Sequence, residues 1–382
     1  MTDTLPYNEF SPYKLLMQYD KLRDLAQGKP VVPSTLELDV SGMCNHNCRW
    51  CVDPPGTHSN TLMSAAIALR ILQEARALGI RGAVFKGGGE PALHPELGRI
   101  ICEAKTLGFE TGVVTNGTRL AHWAPAYLEA CDYVRISVDA VDETMRMDIH
   151  GVGDFTGLKT SISELTASRQ GRRHPVIGLS FCLEYKHRDS IPQAIVLGEE
   201  MKVDYVLIRP VFGEEIGYTP SHTPEEAESL RSCIRTHAAR HKSNMMVFAG
   251  DWKGDAEYAA SHGVKIRGMV RRDGIVRAEN CNGIEHITKQ CYAAPLLLVI
   301  TASLEVYFCC CTRGLKQFRM GRLDYLKQEQ ALTVFFADRQ YKQQLSRLRN
   351  CECLPFCTHP LQKYNEVIEY LRLNNKYHTH FI

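Results

Sequence analysis

The sequence predicts an α/β fold in which a parallel sheet is covered by helices. Short β-rich runs recur six times between residues 35 and 212, helical patterns lie between them, and the runs are almost continuously apolar. Strands buried on both faces read this way, because crossover helices cover each side of a parallel sheet. Two closures satisfy the pattern, an open doubly wound sheet or a full or partial barrel, and in either one ligands bind at the carboxyl ends of the strands. The polar and glycine-rich signals fall at that edge, as SGMC, GGGEP, TNG, SVDA and RPV.

Taken in order, residues 11–28 carry Leu15, Leu16, Tyr19, Leu22 and Leu25 at helical spacing and stop at Gly28, so residues 1–34 form a helical extension. The six strands are read at 35–42, 82–89, 110–117, 133–140, 176–184 and 203–212, with helices such as 64–79 and 95–108 between them. The β–α rhythm ends near residue 245, which sets 35–245 as the main domain. Residues 246–290 read as a linker or substrate loop. From 291 to 382 the chain reads as a small domain: a hairpin of 296–300 and 305–309 joined by Thr301–Leu304, then helical patterns at about 325–348 and 360–373.

At 382 residues, with 44% hydrophobic and 23% charged, a large domain plus a smaller one is expected, and disordered or fibrous classes are excluded. The net charge of +2 provides no global field for nucleic acid or an anionic membrane. No apolar run reaches about 18 residues, and the opening MTDTLPYNEF lacks the features of a signal peptide. The expectation is a cytoplasmic protein with neither nucleic-acid nor membrane partners.

Cysteine is the anomaly, at fifteen residues. Outside an oxidising compartment such a number points to metal or cluster ligation rather than disulfides. Cys102, Cys131, Cys182 and Cys233 are scattered and read as small buried hydrophobes. Cys44, Cys48 and Cys51 instead form a C-x3-C-x2-C group directly after a strand. Three thiolates on one short loop hold three irons of a [4Fe–4S] cube and leave the fourth open to an exogenous ligand. A closed zinc site is the blander reading, but it wants four ligands and usually paired C-x2-C knuckles.

With Gly87-Gly88-Gly89-Glu90-Pro91 at the end of the second strand, the triplet resembles the radical S-adenosylmethionine (SAM) enzymes, and the resemblance runs over residues 35–212. It implies a partial (β/α)6, TIM-like barrel. It also implies a [4Fe–4S] cluster that binds SAM and reduces it to methionine and a 5′-deoxyadenosyl radical, which takes a hydrogen atom from a substrate. An external electron donor, a flavodoxin, ferredoxin or reductase, is implied too. Carried over by position, Cys44, Cys48 and Cys51 ligate the cluster, and Gly88, Gly89 and Glu90 receive the SAM ammonium, which needs acceptors. Asn116, Ser137 and Asp139 match positions near the ribose and the carboxylate, and Arg209 ends the sixth strand as a bidentate partner for that carboxylate. Without the cysteines, Gly87–Gly89 and Asn116-Gly117 would read as ordinary turns.

A second cysteine set follows. Cys291 and Cys309 bracket the hairpin, and Cys351, Cys353 and Cys357 form C-x-C-x3-C. The set resembles the SPASM or twitch extensions that carry auxiliary [4Fe–4S] clusters, with zinc as the alternative occupant. The full two-cluster pattern has a glycine where this chain has Leu304, a C-x2-C-x5-C-x3-C run that is absent, and a further cysteine beyond Cys357. One auxiliary cluster is therefore expected. Cys310 and Cys311 beside Cys309, and Cys281 on the loop, are spare thiols that would donate hydrogen in an epimerase. Lys265, Arg267, Arg271, Arg272 and Arg277 form either a solvated loop or a grip on an anionic substrate. His378 and His380 read as a terminal tail.

The expected function is radical chemistry on a small, carbohydrate- or nucleoside-like substrate: oxidation, dehydration or epimerisation. Peptide modification is the alternative, lowered because only 34 residues precede the first strand, too few for a leader-recognition domain. An iron–sulfur electron carrier or zinc scaffold is the reading from another class, and it has no use for GGGEP, TNG and SVDA at one edge.

Overall fold

The structure is a computed structural model that describes residues 12–51, 58–172, 174–211, 223–249, 270–272, 275–277, 291–338, 364, 365, 368, 371 and 372. A 3-10 turn, Pro12–Gln18, leads into α1, Tyr19–Ala26. Strand and helix then alternate: β1 Thr35–Leu38, α2 Ala65–Leu78, β2 Gly82–Phe85, α3 Leu97–Thr106, β3 Glu110–Thr115, α4 Leu120–Ala130 and β4 Tyr133–Ser137. After β4 come α5 Glu143–His150, α6 Phe155–Ser168, β5 Val176–Leu183, α7 Ile191–Glu200, β6 Tyr205–Pro210, α8 Pro224–Arg240 and β7 Met246–Ala249. A two-stranded antiparallel pair, β8 Val270–Arg272 and β9 Ile275–Arg277, follows. The chain then forms β10 Leu297–Ile300, β11 Glu305–Tyr307, β12 Gly321–Arg322 and α9 Ala331–Ala337.

Ten strands make one sheet in the order β12-β11-β10-β1-β2-β3-β4-β5-β6-β7. From β10 through β1 to β7 every pairing is parallel, and β11 and β12 turn back antiparallel. The order has two ends, which agrees with a partial barrel. Alternation along each strand sends Leu36, Leu38, Phe85, Val113, Ile136, Leu179 and Ile208, all fully buried, into the same core as the apolar helix faces. Residues of the opposite parity face the lumen. There a Cβ on Gly112 or Gly178 would collide with the ring of Tyr133 or Tyr205, so two tyrosines lie across glycines of neighbouring strands.

The helix boundaries follow local chemistry. Ser64 caps α2 by accepting from the Ile67 amide at 3.3 Å, and Gly79, at φ +101°, ends it in the left-handed region that only glycine enters without strain.

Three sequence expectations change. Met246–Ala249 lies in the segment read as linker but adds a seventh parallel strand against β6. The hairpin is not set apart from the barrel, because β10 pairs with β1 over Thr35↔Leu297 to Leu38↔Ile300. The first C-terminal helix spans only Ala331–Ala337 within the pattern at 325–348. The extension at the start packs Leu22, Leu25 and Val31 against Tyr292, Leu296 and Ile368, so both ends of the chain meet. Among the described residues no helix is long and apolar enough to cross a membrane.

Candidate functional site

The triplet occupies the loop that leaves β1. Its base is closed by Met63 N donating to the Val40 carbonyl at 3.0 Å and Gly42 N to that of Thr61 at 2.8 Å. The far side is tied to the end of α5: Asn47 N donates to the His150 carbonyl and Arg49 N to that of Ile149, both at 2.9 Å, while Trp50 packs on Ile149 and Val211. All three cysteines are half-buried. Cys48 Sγ lies 3.0 Å from His150 Nδ1, and Cys51 Sγ 3.8 Å from His58 Nε2. Burial, then the nearby Cys51, Asp139 and Cys44, push the Cys48 thiol far above its ordinary pKa. Three thiols this close oppose one another's ionisation, and a bound cationic centre relieves that opposition, so the donor set fits an iron–sulfur cluster.

The glycine segment abuts this loop by main-chain contact. Gly89 N donates to the Ser41 carbonyl at 3.1 Å, Glu90 N to that of Met43 at 2.7 Å, and Gly88 N to Asp39 Oδ2 at 3.2 Å. A Cβ at Gly89 would collide with the Met43 carbonyl, and one at Gly87 with the Asp39 carboxylate. The glycines are thus needed for approach to the cysteine loop. Glu90 differs from its expected placement as an open acceptor. Its buried carboxylate accepts from Ala92 N at 2.9 Å, Asn116 N at 2.7 Å and Thr115 Oγ1 at 2.5 Å, pinning the end of β2 to that of β3. Burial raises its pKa, and these three hydrogen bonds oppose the rise.

Asn116 reaches the same loop, donating from Nδ2 to Asn45 Oδ1 at 2.9 Å. Asp139 sits at φ +54° past the end of β4, with Oδ1 accepting from Cys182 N at 2.7 Å and Oδ2 3.6 Å from His150 Nε2. It braces β4, β5 and α5 from a buried position. Ser137, half-buried at the end of β4, stands in register with Ser180. Arg209 pairs in register with Cys182 and donates from Nε to its Sγ at 2.8 Å. Burial pushes the Cys182 thiol up to about 11, against the pull of Arg209. Cys182 therefore belongs to the site rather than to the scattered core cysteines.

Several site residues carry no motif. Glu37 and Asp39 point into the lumen from β1 and its extension, nearly fully buried. Lys86 Nζ lies 2.9 Å from Glu37 Oε2, and Arg313 Nη1 lies 3.4 Å from Glu37 Oε1 and 3.6 Å from Asp39 Oδ1. Lys86 keeps a raised pKa although burial, the largest influence, lowers it, because Glu37 and then Cys310 stand close. The signal was legible in TLELD, where carboxylates occupy every second place of a strand buried on both faces. His46 and His150 had no such signal beyond the proximity of His46 to the cysteines. Burial, then each other's neighbourhood and Arg146, hold His46 down to about 3, and burial also lowers His150.

Of the C-terminal cysteines, Cys291 is buried, with Asn365 Nδ2 at 3.7 Å from its sulfur. Burial raises its pKa against hydrogen bonds from the Ala294 amide, Asn365 and the Ala293 amide. Cys309 and Cys310 are half-buried. Cys281, Cys351, Cys353, Cys357, His378, His380, Lys265, Arg267 and the Cys311 side chain lie outside the described residues, as do the side chains of Arg271, Arg272 and Arg277.

Residues 38–169 match the family model described as the Radical SAM superfamily. A probable GTP 3′,8-cyclase of Methanothermobacter thermautotrophicus is 34% identical over 122 residues, a match that covers 31% of this chain and 39% of that protein's length. Streptococcus suis SuiB bound to the precursor peptide SuiA is similar in structure at TM-score 0.63 and 16% identity, over 95% of this chain and 77% of that one. The structure of anSMEcpe with bound AdoMet is similar at TM-score 0.56 and 14% identity or so close to it that 15% is printed for the tagged form, over 90% of this chain and 98% of that one. At such identities the likeness concerns the fold.

Proposed function

We propose, from the premise that this chain carries a Radical SAM domain over residues 38–169, that it cleaves SAM reductively at the Cys44–Cys51 loop and takes a hydrogen atom from a small polar substrate in the lumen. The observation that carries this is the direct hydrogen bonding of the glycine segment to the cysteine loop, by Gly89 N to Ser41 and Glu90 N to Met43. When bound, the cluster and SAM supply a one-electron reduction of the sulfonium and thus a 5′-deoxyadenosyl radical. The chain's part is placement. Cys44, Cys48 and Cys51 hold three irons, and Gly88 and Gly89 let the main chain approach the SAM ammonium. Ser137 and Arg209 offer donors to its carboxylate. Glu90, Asn116 and Asp139 act by holding the strand ends, through the contacts described above.

Lys86, Arg135 and Arg209 are the inward cations of this lumen, which suits a substrate with an anionic or hydroxyl-rich group, as in a nucleotide or sugar. The partial match to a probable GTP 3′,8-cyclase supports that class. Cys310, close enough to Lys86 to affect it, is the described thiol best placed to return hydrogen. A peptide substrate is the second reading, supported by SuiB, whose structure carries the precursor peptide SuiA, and by anSMEcpe, solved with the Kp18Cys and Cp18Cys peptides. A flavodoxin, ferredoxin or reductase would supply the electron, and Cys291, Cys309, Cys351, Cys353 and Cys357 the auxiliary cluster.

Anaerobically reconstituted protein with dithionite and SAM should form 5′-deoxyadenosine and methionine. Cys44→Ala, Cys48→Ala and Cys51→Ala should each abolish the products, and full activity in any of them contradicts the reading. Faster product formation with nucleotides or sugars than with peptides supports the first substrate class, and the reverse supports the second.

A further inference from the structure

We propose that Cys48 has a second ligand role: in the chain without its cluster, Cys48 Sγ and the unprotonated nitrogens of His46 and His150 form a site for one borderline divalent cation, zinc or ferrous iron. Each of the three offers a ligand atom, and all lie within 4.8 Å of one another. Hydrogen bonds fix the tautomer of both rings. His150 Nε2 faces the Val138 carbonyl at 2.9 Å, and a carbonyl only accepts, so Nε2 carries the proton and the Nδ1 lone pair faces Cys48 Sγ at 3.0 Å. His46 Nε2 lies 3.1 Å from Thr118 Oγ1, whose own proton goes to Asn116 Oδ1 at 2.8 Å. Thr118 must therefore accept, His46 Nε2 is protonated, and its Nδ1 lone pair is buried without a hydrogen-bond partner.

This is the arrangement of metal-binding histidines, in which the ring N–H away from the metal is held by an oxygen. A tetrahedral ion with bonds of about 2.3 Å to sulfur and about 2.0–2.1 Å to nitrogen keeps its ligand atoms roughly 3.3–3.6 Å apart. The observed contacts straddle that spacing, so entry requires side-chain adjustment of about 1 Å. Binding exchanges the Cys48 thiol proton, released to solvent, for a metal–sulfur bond, and leaves the fourth position to water. A cation held here occupies a thiolate that the cluster needs, so zinc and cluster compete for Cys48. The cobalt experiment below depends only on these side chains and not on SAM chemistry.

The test is titration of the metal-free full-length chain with cobalt(II), read by sulfur-to-cobalt charge transfer and tetrahedral d–d bands. Other cysteines also bind cobalt, so the reading is the difference from wild type. Cys48→Ser, His150→Ala and His46→Ala should each lose one equivalent, whereas Cys44→Ala and Cys51→Ala should retain it. His46→Gln, which preserves a donor to Thr118, should lose it as well and guards against misfolding in the alanine variants, whose thermal transitions are measured in parallel. Retention in the histidine variants, or loss in Cys44→Ala and Cys51→Ala, overturns the site. In a second arm, wild-type chain preloaded with one equivalent of zinc should take up about four fewer irons on reconstitution, as one missing cube implies. His46→Ala, with every cysteine intact, should take up its full complement; equal zinc sensitivity in the two proteins also overturns the proposal.

Discussion

The loop that leaves β1 and the hairpin that pairs beside it both present cysteine, yet they hold it differently. In the loop, Cys44, Cys48 and Cys51 lie within one short stretch, half-buried, with a histidine nitrogen 3.0 Å from the middle sulfur. At the hairpin, Cys291 is buried and draws its donors from Asn365 and the amides of Ala293 and Ala294. The two groups also stand at opposite ends of β1. The triplet follows its last residue, while the register of Tyr307 with Val299, and of Val299 with Glu37, carries Cys309 toward its first. A site written in consecutive residues needs its neighbours mainly to orient it; one assembled from separated segments exists only when the tertiary structure does.

Gly89→Ala should separate the two ends most sharply, because its Cβ meets the Met43 carbonyl, main chain that cannot rotate away. Iron analysis should find about four irons fewer than wild type, as loss of one cube requires, with SAM cleavage lost and the auxiliary iron kept. Normal iron content would break the link between the glycine segment and the cysteine loop. Arg313→Met tests the connection between hairpin and barrel, since it removes one cation from the buried Glu37 and Asp39. Urea unfolding should show a loss of about 3–5 kcal/mol, the usual cost of breaking a buried ion pair; a loss below about 1 kcal/mol would make the network no stronger than a surface pair.

The smallest effect belongs to the hairpin turn. Leu304 stands at φ +66°, the left-handed region where a side chain costs about 1–2 kcal/mol, and its own side chain is only partly buried. Leu304→Gly exchanges strain for packing, so thermal unfolding should place it within about 1 kcal/mol of wild type. Leu304→Val, β-branched in the same backbone, should be clearly less stable than either.

These contrasts track what could be read from the sequence. The six main strands and the placement of their polar ends were legible because period and composition are local properties. The seventh strand was not: MVFA is four residues long and takes its strand identity from pairing with β6. The junction of β10 with β1 joins residues more than 250 positions apart in the chain, and no local pattern records it. Glu90 was visible as a site residue, but its role as a buried strut depends on Thr115 and Asn116 meeting it from another strand. Cys182 looked like core because a single cysteine in a strand has no signature, and only the register with Arg209 brings it to the site. Leu304 was noticed as a departure from a glycine pattern, and the turn's positive φ supplies the physical reason a glycine suits that position.

The account's central claim is that the Cys44–Cys51 loop carries a cluster with one iron open to SAM. Electron paramagnetic resonance of the dithionite-reduced chain bearing Cys291→Ser and Cys309→Ser isolates that loop from the auxiliary set. The account predicts a reduced [4Fe–4S] signal whose g-values shift when SAM is added; a signal left unchanged by saturating SAM would contradict it.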